Sequence, residues 1–475
     1  MSDTKNKNGF AGGLTRRDAL KAIGTAAALG IGGFTLGEQL FAQSGGKRPN
    51  ILFILTDDHR ADCMGAMGHP FLKTPHMDRI AAEGVLFENA FVTTSLCSPS
   101  RASFLTGQYA SVHGVINNFS RWDEDRNITF LQHLKEAAGY DTAFIGKWHM
   151  PGGGLPRLPG VDLFVSFTKK DGQGDYYDCP IYKNGELVTG PRNPYITEDL
   201  TDYALEYISE ERTKPFALYL SHKAVHHDWR PPQHLAGMYK DADLSFLPPE
   251  SDTFDTWTGN NWLEGTMGLM HPVYRRYCEC ITSVDEQLGR VLALLEQKGI
   301  LDDTVIVYCG DNGYIWGEHR LYAKHWPYEE SIRIPYLVRY GNYVPDPGRR
   351  ATQMALNIDL APTLLELAGV SLPAAMQGES LVPILRSADS PSRHAFIYEL
   401  FKDFPFGGRV PPHKALRTER YKYIEWEECR TPELYDLASD AREMRNLIGT
   451  AGGDTLISGL KDEMEALKGK YSIRM

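Results

Sequence analysis

The sequence predicts an α/β protein: a doubly wound, mixed and mostly parallel sheet flanked by helices, then a small C-terminal α+β subdomain with an antiparallel sheet. Two observations support this prediction. Continuous apolar runs, each ending in polar residues, alternate with amphipathic helical patterns, as in layered α/β domains. After about Arg386 the chain changes to short strand-like runs separated by turns. The 475 residues, 42% hydrophobic and 23% charged, are enough for a large buried core.

Four apolar runs are predicted as strands buried on both faces, because they lack the alternation of a half-exposed strand. They cover residues 50–56, 141–146, 215–221 and 304–310. Each is followed at once by polar side chains that can bind ligands: Asp57 and Asp58, Lys147 and His149, His222 and His226, Asp311 and Asn312. Since open α/β sheets bind ligands at the carboxyl edge of their strands, we expect these side chains to form one site.

Helical patterns lie between the strands. In the longest, over 277–295, apolar residues recur every three or four positions, which predicts an amphipathic helix. Shorter helices are expected at 78–83, 130–138, 198–211 and 359–368. Cys278-Glu279-Cys280 lies inside the long helix, and without a second such pair we interpret it as helix sequence rather than a metal clip. The segment 240–271, rich in Trp, Pro, Asp and Gly, is expected to be an insertion loop near the mouth of the site.

The C-terminal part is predicted to contain antiparallel strands at 395–400, 414–418 and 421–426 and a final helix at 455–468. The expected organisation is therefore a signal segment in 1–43, a main domain in 44–385 and a C-terminal subdomain in 386–475.

The first 43 residues have the features of an export signal rather than of a folded domain. The segment Thr15-Arg16-Arg17-Asp18-Ala19-Leu20-Lys21 resembles a twin-arginine signal, and an uncharged run from Ala22 to Gly37 follows it. Leu40-Phe41-Ala42 can precede a cleavage site. The run is diluted by glycine and shorter than the ~18 strongly apolar residues of a spanning helix. We expect export to the periplasm or the extracellular space, with an N-terminal membrane anchor as the alternative.

The formal net charge of −11 restricts the class of partner. A nucleic-acid partner is not expected, because the average surface repels a polyanion. A small anionic substrate is repelled as well unless cations are concentrated in its pocket. Arg101, Lys147 and Lys324 are the candidates for that role.

The segment Cys97-Ser98-Pro99-Ser100-Arg101 precedes an uncharged, helix-like run. Ser98 is expected to cap the helix and Pro99 to occupy its first turn, where a missing N–H costs little. Cys97 would then lie just before a helix N-terminus, which attracts anions, and Arg101 adds a guanidinium about one turn later. The alternative for such a short motif is a buried structural cysteine beside a surface arginine.

Cysteine usage is compatible with a special role for Cys97. The chain has seven cysteines, and an odd number leaves at least one unpaired. The other six can form disulfides in an oxidising compartment, but their spacing does not determine a pairing.

Adjacent carboxylates at Asp57 and Asp58 suggest a metal site. Two like charges this close raise each other's pKa unless a cation neutralises them. Asp311-Asn312-Gly313 adds a carboxylate and an amide oxygen at a second strand end. Such hard oxygen ligands suit Ca²⁺ or Mg²⁺, although Asp-Asn-Gly taken alone is equally a plain turn.

Taken in order, these motifs resemble the sulfatase family of the alkaline-phosphatase-like superfamily. The resemblance runs from about Pro49 to about Leu447 and is closest to bacterial N-acetylglucosamine-6-sulfatase-like carbohydrate sulfatases. It is carried by five segments: Asp57-Asp58, Asp311-Asn312, Cys97-Ser98-Pro99-Ser100-Arg101, Gly146-Lys147-Trp148-His149, and Glu433-Leu434-Tyr435-Asp436-Leu437. It implies oxidation of Cys97 to formylglycine by a formylglycine-generating or radical maturase enzyme. It also implies one Ca²⁺ bound by Asp57, Asp58, Asp311, Asn312 and the modified Cys97.

The resemblance further implies a role for each polar residue. The hydrated aldehyde at position 97 would attack sulfur, while Arg101, Lys147 and Lys324 stabilise the sulfate oxygens. His226 would protonate the leaving oxygen, and His149 would remove a proton from the second hydroxyl of the hydrate. The assignment of His226 has two rivals, His222 and His227, and the family's Ala-Pro-His reads Ala-Val-His in this chain.

The substrate is less constrained. Gly172-Gln173-Gly174-Asp175-Tyr176-Tyr177-Asp178 and Asn184-Gly185 resemble the branch acting on carbohydrate sulfates, which implies a sulfated carbohydrate such as N-acetylglucosamine 6-sulfate in a glycan. Candidate sugar platforms, each equally compatible with ordinary packing, are Tyr176, Tyr177, Trp229 and His413. Residues 318–320 are further candidates for substrate contacts. The alternatives are a choline-sulfatase-like enzyme, a phosphonate monoester or phosphodiester hydrolase of the same superfamily, and an inactive glycan-binding relative.

Overall fold

The structure is a computed structural model that describes residues 47–150, 155, 158–169, 172–248, 270–402, 410–427 and 431–474. The predicted export signal and most of the predicted insertion loop, residues 249–269, lie outside the described residues. Within the described ranges, no helix combines the length and the apolar character needed to cross a membrane.

The first twelve strands, β1 to β12 in chain order, are Asn50–Thr56, Val85–Phe91, Asp141–Gly146, Leu163–Ser166, Tyr182–Lys183, Glu186–Leu187, Phe216–Ser221, Thr304–Gly310, Ile315–Trp316, Tyr322–Ala323, Tyr336–Arg339 and Arg349–Leu356. Strands β9 and β10 form a two-stranded ribbon, and the other ten form one sheet, in the order β12-β2-β11-β8-β1-β7-β3-β4-β5-β6. Strands β8, β1, β7, β3 and β4 are parallel to their neighbours in that order, whereas β11 is antiparallel to both β2 and β8. The predicted mixed, mostly parallel sheet is confirmed.

Helices cover both faces of this sheet. From α1 to α10 they are Pro75–Ala82, Cys97–Thr106, Ala110–His113, Phe130–Ala138, Ile196–Ser209, Met270–Gln297, Glu329–Ile332, Leu360–Leu367, Val382–Arg386 and Ala451–Tyr471. Successive side chains of β1 point to opposite faces. Phe53 packs into a core with Phe104 of α2, and Leu52 packs into a second core with Ile281 of α6. Both faces of the central strands are therefore buried, which explains why they lack polar alternation.

The predicted buried strands and the helices between them are found within a few residues of their expected bounds. The exception is α6, which begins at Met270 and so includes the end of the segment expected to be a loop. Strands β2 and β12 are the longest of the strands that have no counterpart among the predictions. Strand β2 is interrupted by the half-buried Glu88 and Asn89, and the edge strand β12 begins with Arg349 and Arg350. Neither sequence shows the continuous apolar run of a central strand.

A separate antiparallel sheet follows, as predicted. Its strands β13 to β16 are Ala395–Leu400, His413–Thr418, Tyr421–Trp426 and Glu433–Asp436, paired in that order. The final helix α10 begins earlier than predicted, because the Thr450 side chain accepts a hydrogen bond from the Gly453 N–H and caps it. The proposed domain boundaries at 44–385 and 386–475 remain predictions.

Every cysteine that the structure describes is a free, buried thiol: Cys63, Cys97, Cys179, Cys278, Cys280 and Cys309. Cys429 lies outside the described residues. Cys278 and Cys280 are buried residues of helix α6, as the helical interpretation predicts.

Candidate active site

The candidate site lies at the carboxyl edge of β8, β1, β7 and β3, which are consecutive in the sheet. Main-chain hydrogen bonds join the loops that leave these strands. The Asp311 N–H donates to the Thr56 carbonyl at 2.8 Å, and the Lys147 N–H donates to the Ser221 carbonyl at 2.8 Å. The polar residues that follow the four strands are thereby brought together, as predicted from the parallel topology.

Gly146 shows why the β3 loop needs a glycine. Its φ is 119°, and a Cβ there would lie 1.8 Å from the carbonyl oxygen of Ser221. A larger residue would push the β3 loop away from β7, and with it Lys147.

Helix α2 differs from the expected arrangement at its first turn. Cys97 is the first residue of the helix rather than the residue before it, and the N-cap is Leu96, with extended backbone. Ser98 does not cap the helix, because its hydroxyl donates to the His149 carbonyl at 2.5 Å. The Ser98 N–H is instead satisfied by the side-chain oxygen of Asn118 at 3.0 Å, a partner that the sequence did not indicate.

Cys97 is fully buried among charged side chains. Its Sγ lies 2.7 Å from the Lys324 Nζ and 3.6 Å from the Asp57 Oδ1. Burial, with a contribution from Asp57, raises the pKa of the Cys97 thiol to about 12. The unmodified side chain is therefore a neutral thiol at physiological pH and a poor nucleophile.

Arg101 is a buried guanidinium, not a surface arginine, with 1% of its surface exposed. Its Nη2 lies 2.9 Å from the Asp57 Oδ2 and 2.8 Å from the Asp311 Oδ2. Its Nη1 donates to the Ser221 Oγ at 2.6 Å and to the Lys147 carbonyl at 3.1 Å. This side chain therefore ties together the loops after β1, β3, β7 and β8.

Asp57, Asp58 and Asp311 form a buried acidic cluster whose candidate ligand oxygens all lie within 4.8 Å of one another. The Asp58 N–H donates to the Asp311 Oδ1 at 3.0 Å, and the Asn312 Nδ2 donates to the Asp58 Oδ1 at 2.7 Å. The Asp58 Oδ2 and the Asn312 Oδ1 are buried without a hydrogen-bond partner. Unsatisfied buried oxygens beside three carboxylates match the donor set of a hard divalent cation.

The electrostatics of Asp57 and Asp58 differ. Burial acts to raise the pKa of Asp57, but Lys147, Arg101 and Lys324 together keep it well below its usual range. Burial raises the pKa of Asp58 to about 7, and the neighbouring Asp57 and Asp311 add to the rise, against Lys324. A cation bound at this cluster would favour the ionised form of Asp58.

Lys147 and Lys324 complete the balance of charge around Cys97. The ammonium of Lys147 pairs with the Asp57 Oδ2, and that of Lys324 lies 2.5 Å from the Asp58 Oδ1. Both lysines are buried. Three carboxylates and three cations are therefore packed around one sulfur atom.

His226 lies beside the acidic cluster and Cys97. The His226 Nε2 lies 3.9 Å from the Asp58 Oδ2, and its ring nitrogen, the Cys97 Sγ and an Asp57 oxygen all lie within 4.8 Å of one another. His222 and His227 belong to no such group among the described residues. Burial, and then the adjacent His227, lower the pKa of His226 well below its ordinary value.

The valine that replaces the family's proline before His226 has a structural role. The Val225 N–H donates to the Asp57 carbonyl at 2.8 Å, and the Val225 carbonyl accepts from the Trp229 Nε1 at 2.9 Å. A proline has no N–H and could not make the first bond.

His149 is buried, with its backbone at φ 50°. Burial, and then Lys147, lower the pKa of His149 well below its ordinary value. Its Nε2 lies 3.0 Å from the Nε2 of Gln173, a residue to which the sequence assigned no role.

Three of the four candidate sugar platforms are core residues. Tyr176 is buried and donates to the His226 carbonyl at 2.6 Å. Trp229 packs on Trp316 with ring centroids 5.3 Å apart, and His413 is a buried residue of strand β14 in the C-terminal sheet. Tyr177 alone of the four is half-buried.

Of residues 318–320, Glu318 already makes two contacts with other residues of the protein. Its Oε1 pairs with the Arg60 Nη1 at 2.6 Å, and its Oε2 accepts from the Trp316 N–H at 2.7 Å. Arg320 remains exposed.

Comparison with known proteins identifies this arrangement. The Sulfatase family profile matches residues 49–370. The chain belongs to the sulfatase family. It is accordingly a sulfuric ester hydrolase, and a second profile, N-sulphoglucosamine sulphohydrolase C-terminal, matches residues 317–470.

Two relatives of this sulfatase are named for the same sugar. An N-acetylglucosamine-6-O-sulfatase of Bacteroides thetaiotaomicron is 32% identical and covers 85% of this chain and 83% of its own. The N-acetylglucosamine-6-sulfatase of Homo sapiens is 31% identical over 73% of this chain and 66% of its own.

Solved structures share the fold of this sulfatase. One, in complex with its substrate D-glucosamine-2-N,6-O-disulfate, superimposes with a TM-score of 0.81 at 30% identity, covering 90% of this chain and 98% of the other. A phosphonate monoester hydrolase of Agrobacterium radiobacter superimposes with a TM-score of 0.73 at 23% identity, covering 89% and 96%. The sulfatase family implies a formylglycine and a metal in general, and the buried acidic cluster of this chain can bind a metal.

Proposed function

We propose that this sulfatase is exported and hydrolyses a sulfate ester of a carbohydrate, with the 6-sulfate of N-acetylglucosamine in a glycan as the substrate. The observation that carries the proposal is the buried cluster of Arg101, Lys147 and Lys324 around Cys97 and the acidic residues. The chain has a net charge of −11, and Asp57, Asp58 and Asp311 balance these three cations. A divalent cation bound at the acidic cluster would make the site positive enough to bind an anionic ester. The names of the relatives supply the sugar and the position of the sulfate.

The proposed ligands of one Ca²⁺ are Asp57, Asp58, Asp311, Asn312 and the modified residue 97. Their oxygen donors are those that calcium prefers, and two of them are buried without another partner. When present, calcium supplies positive charge at the sulfate, and formylglycine made from Cys97 by a maturase supplies a hydroxyl nucleophile.

The remaining residues of the site stabilise negative charge or transfer protons. Arg101, Lys147 and Lys324 are fixed by carboxylates before substrate arrives, so little reorganisation is needed to stabilise negative charge on sulfate oxygens. His226, beside Asp58 and Cys97, is placed to donate a proton to the departing sugar oxygen. Burial keeps this ring neutral in the free protein, so it must take up the proton when the anionic substrate binds beside it. His149, held neutral by burial and by Lys147, is placed to accept a proton during release of sulfate.

Export is proposed from the twin-arginine-like segment Thr15-Arg16-Arg17-Asp18-Ala19-Leu20-Lys21. A glycan outside the cytoplasm is a substrate that fits such a location.

The test combines mass spectrometry with a substrate panel. The protein is produced with a formylglycine-generating enzyme, and the peptide containing Cys97 is examined for conversion of the thiol to an aldehyde. The converted protein is then assayed on N-acetylglucosamine 6-sulfate, on positional isomers of that sugar sulfate, on choline sulfate, and on matched phosphate and phosphonate esters. We expect the 6-sulfated sugar to have the highest kcat/KM.

Other outcomes identify the alternatives. Preference for phosphonate or phosphate esters, or for choline sulfate, would reject the carbohydrate sulfatase. Binding of the sugar without turnover by fully converted protein would identify an inactive relative.

A further inference from the structure

The segment Gly172-Gln173-Gly174 is built to bring one amide side chain against the site. Gly172 has φ +87°, and a Cβ there would lie 3.2 Å from the Cα of His149. Gly174 has φ +67°, and a Cβ there would lie 2.6 Å from the ring of Phe167. Both positions favour glycine by conformation and by space, so the residue between them is held close to His149.

The Gln173 amide bridges two residues of the candidate site. Its Oε1 accepts a hydrogen bond from the Nζ of Lys147, and its Nε2 lies 3.0 Å from the Nε2 of His149. Lys147 and His149 are buried, whereas Gln173 is half-buried at the rim. The two residues leave the same strand end two positions apart, and Gln173 joins their side chains from a different loop.

The orientation of the amide follows from the chemistry of its neighbours. An ammonium group only donates hydrogen bonds, so the amide oxygen of Gln173 must face Lys147. The amide NH₂ then faces His149 and requires an acceptor. The His149 Nε2 must therefore carry a lone pair. The proton of the neutral imidazole is then on Nδ1, which is buried without a hydrogen-bond partner, so the Gln173 contact is what selects this tautomer.

The same amide orients Lys147. An ammonium has three N–H donors, and Asp57 and Gln173 accept two of them. These two hydrogen bonds fix the direction of the third N–H of Lys147. No residue that the structure describes accepts a hydrogen bond from it. It is the donor that can bind an oxygen of the substrate.

We infer that Gln173 is a positioning residue that fixes the direction of the Lys147 ammonium and selects the His149 tautomer with an acceptor at Nε2. This inference rests on the proposed function, in which His149 accepts a proton. When Nε2 takes up that proton, the hydrogen bond from Gln173 is broken. Gln173 thus favours return of the proton to solvent and restores the accepting form of the ring for the next turnover.

Two substitutions separate the two contacts. Gln173→Glu keeps an acceptor for Lys147 but presents a second acceptor to His149, which favours the opposite tautomer or the protonated ring. Gln173→Met keeps the length of the side chain and removes both contacts. Gln233, exposed on a loop after β7, is the control, with the same two substitutions.

The first readout is the ¹⁵N NMR spectrum of histidine-labelled protein, recorded without substrate. The His149 signals are assigned by their loss in His149→Gln. We expect the wild-type ring to show an unprotonated Nε2 and Gln173→Glu to show a protonated one. The second readout is kinetic: both Gln173 variants should lower kcat by about tenfold or more with KM changed less than about threefold, as for loss of orientation.

The inference is overturned if the wild-type His149 Nε2 carries the proton, or if both Gln173 variants keep kcat within about twofold of the Gln233 variants. Because the NMR measurement needs no turnover, it decides the tautomer even if the wild-type protein cleaves no sulfate ester. If the wild-type protein cleaves no sulfate ester, the proposed function fails, but the NMR spectrum still shows whether Gln173 sets the His149 tautomer.

Discussion

The hydroxyl of Tyr398 donates a hydrogen bond to the backbone carbonyl of His325, 2.8 Å away. The same hydroxyl accepts a hydrogen bond from the Ser95 N–H at 3.2 Å. Ser95 precedes Cys97 by two residues, and His325 follows Lys324. Strand β13 of the C-terminal sheet therefore fixes the separation between the segments that carry the candidate nucleophile and one of its cations.

Tyr398→Phe is expected to lower kcat by about tenfold, because a small displacement of Lys324 relative to residue 97 weakens preorganised stabilisation of charge. The loss of stability should be about 1 kcal/mol, as for one buried hydrogen bond. Steady-state kinetics and denaturant unfolding measure the two effects. The control is Tyr423→Phe, which removes a hydroxyl bonded to Glu425 in the same sheet. Equal kcat in the two variants would show that Tyr398 does not position the site.

Cys97→Ala is expected to abolish turnover while leaving the protein folded, because the small cavity costs only about 1 kcal/mol. Cys309→Ala removes another fully buried thiol, on β8, and should retain activity. Turnover by Cys97→Ala at the rate of Cys309→Ala would refute the assignment of the nucleophile.

His226→Gln should lower kcat on an alkyl sugar sulfate by about 100-fold or more, because proton donation to a poor leaving group is lost. The loss should be much smaller on an aryl sulfate whose phenolate leaves without a proton. His222→Gln, a change at a buried histidine on the same loop, is the control. An equal loss on both substrates would argue against a general acid at position 226.

Removal of calcium with a chelator is expected to lower activity by about 100-fold or more, because a bound cation contributes several kcal/mol of charge stabilisation. Restoring calcium to about 100 times its dissociation constant should stabilise the fold by about 3 kcal/mol. Metal analysis and thermal unfolding measure binding without relying on turnover. Asp311→Asn should weaken both effects, whereas Asp303→Asn, at a half-buried position outside the site, should not. A fold and an activity indifferent to calcium would reject the metal assignment.

Glu399 provides a pH-dependent test of stability away from the site. It is fully buried on β13, its Oε1 accepts from the Ser111 N–H at 2.8 Å, and its Oε2 has no hydrogen-bond partner. Burial raises the pKa of Glu399 to about 7, against the hydrogen bond from Ser111. In the window between the ordinary glutamate pKa and this value, the unfolded chain ionises first, so the folded state loses stability as the pH rises.

In Glu399→Gln the side chain cannot ionise, so this variant should not lose stability in this way as the pH rises. Its stability relative to the wild type is expected to increase by about 3 kcal/mol between pH 4 and pH 8, since one pKa unit corresponds to about 1.4 kcal/mol. Urea unfolding at several pH values measures the difference, with Glu419→Gln at an exposed position as the control. A pH-independent difference would show that Glu399 ionises normally in the fold.

Local sequence determined much of the architecture. The runs that became β1, β3, β7 and β8 are apolar throughout, because both of their faces are buried. The spacing of apolar residues is a local property of the chain, so it can be recognised in the sequence alone. The acidic and basic residues that follow these strands were also identifiable, because parallel strands bring their carboxyl ends to one edge.

The tertiary structure decided which side chain meets which. Ser98 does not cap its helix, since the His149 carbonyl from another loop accepts its hydroxyl. The roles of Gln173 and Tyr398 depend on contacts with segments 24 and 73 residues away along the chain. Such pairings are set by loop conformation and by packing between distant elements, and neither leaves a periodic signal in the residues involved. The chain thus fixed the kinds of chemical group at the site, and the fold fixed their partners.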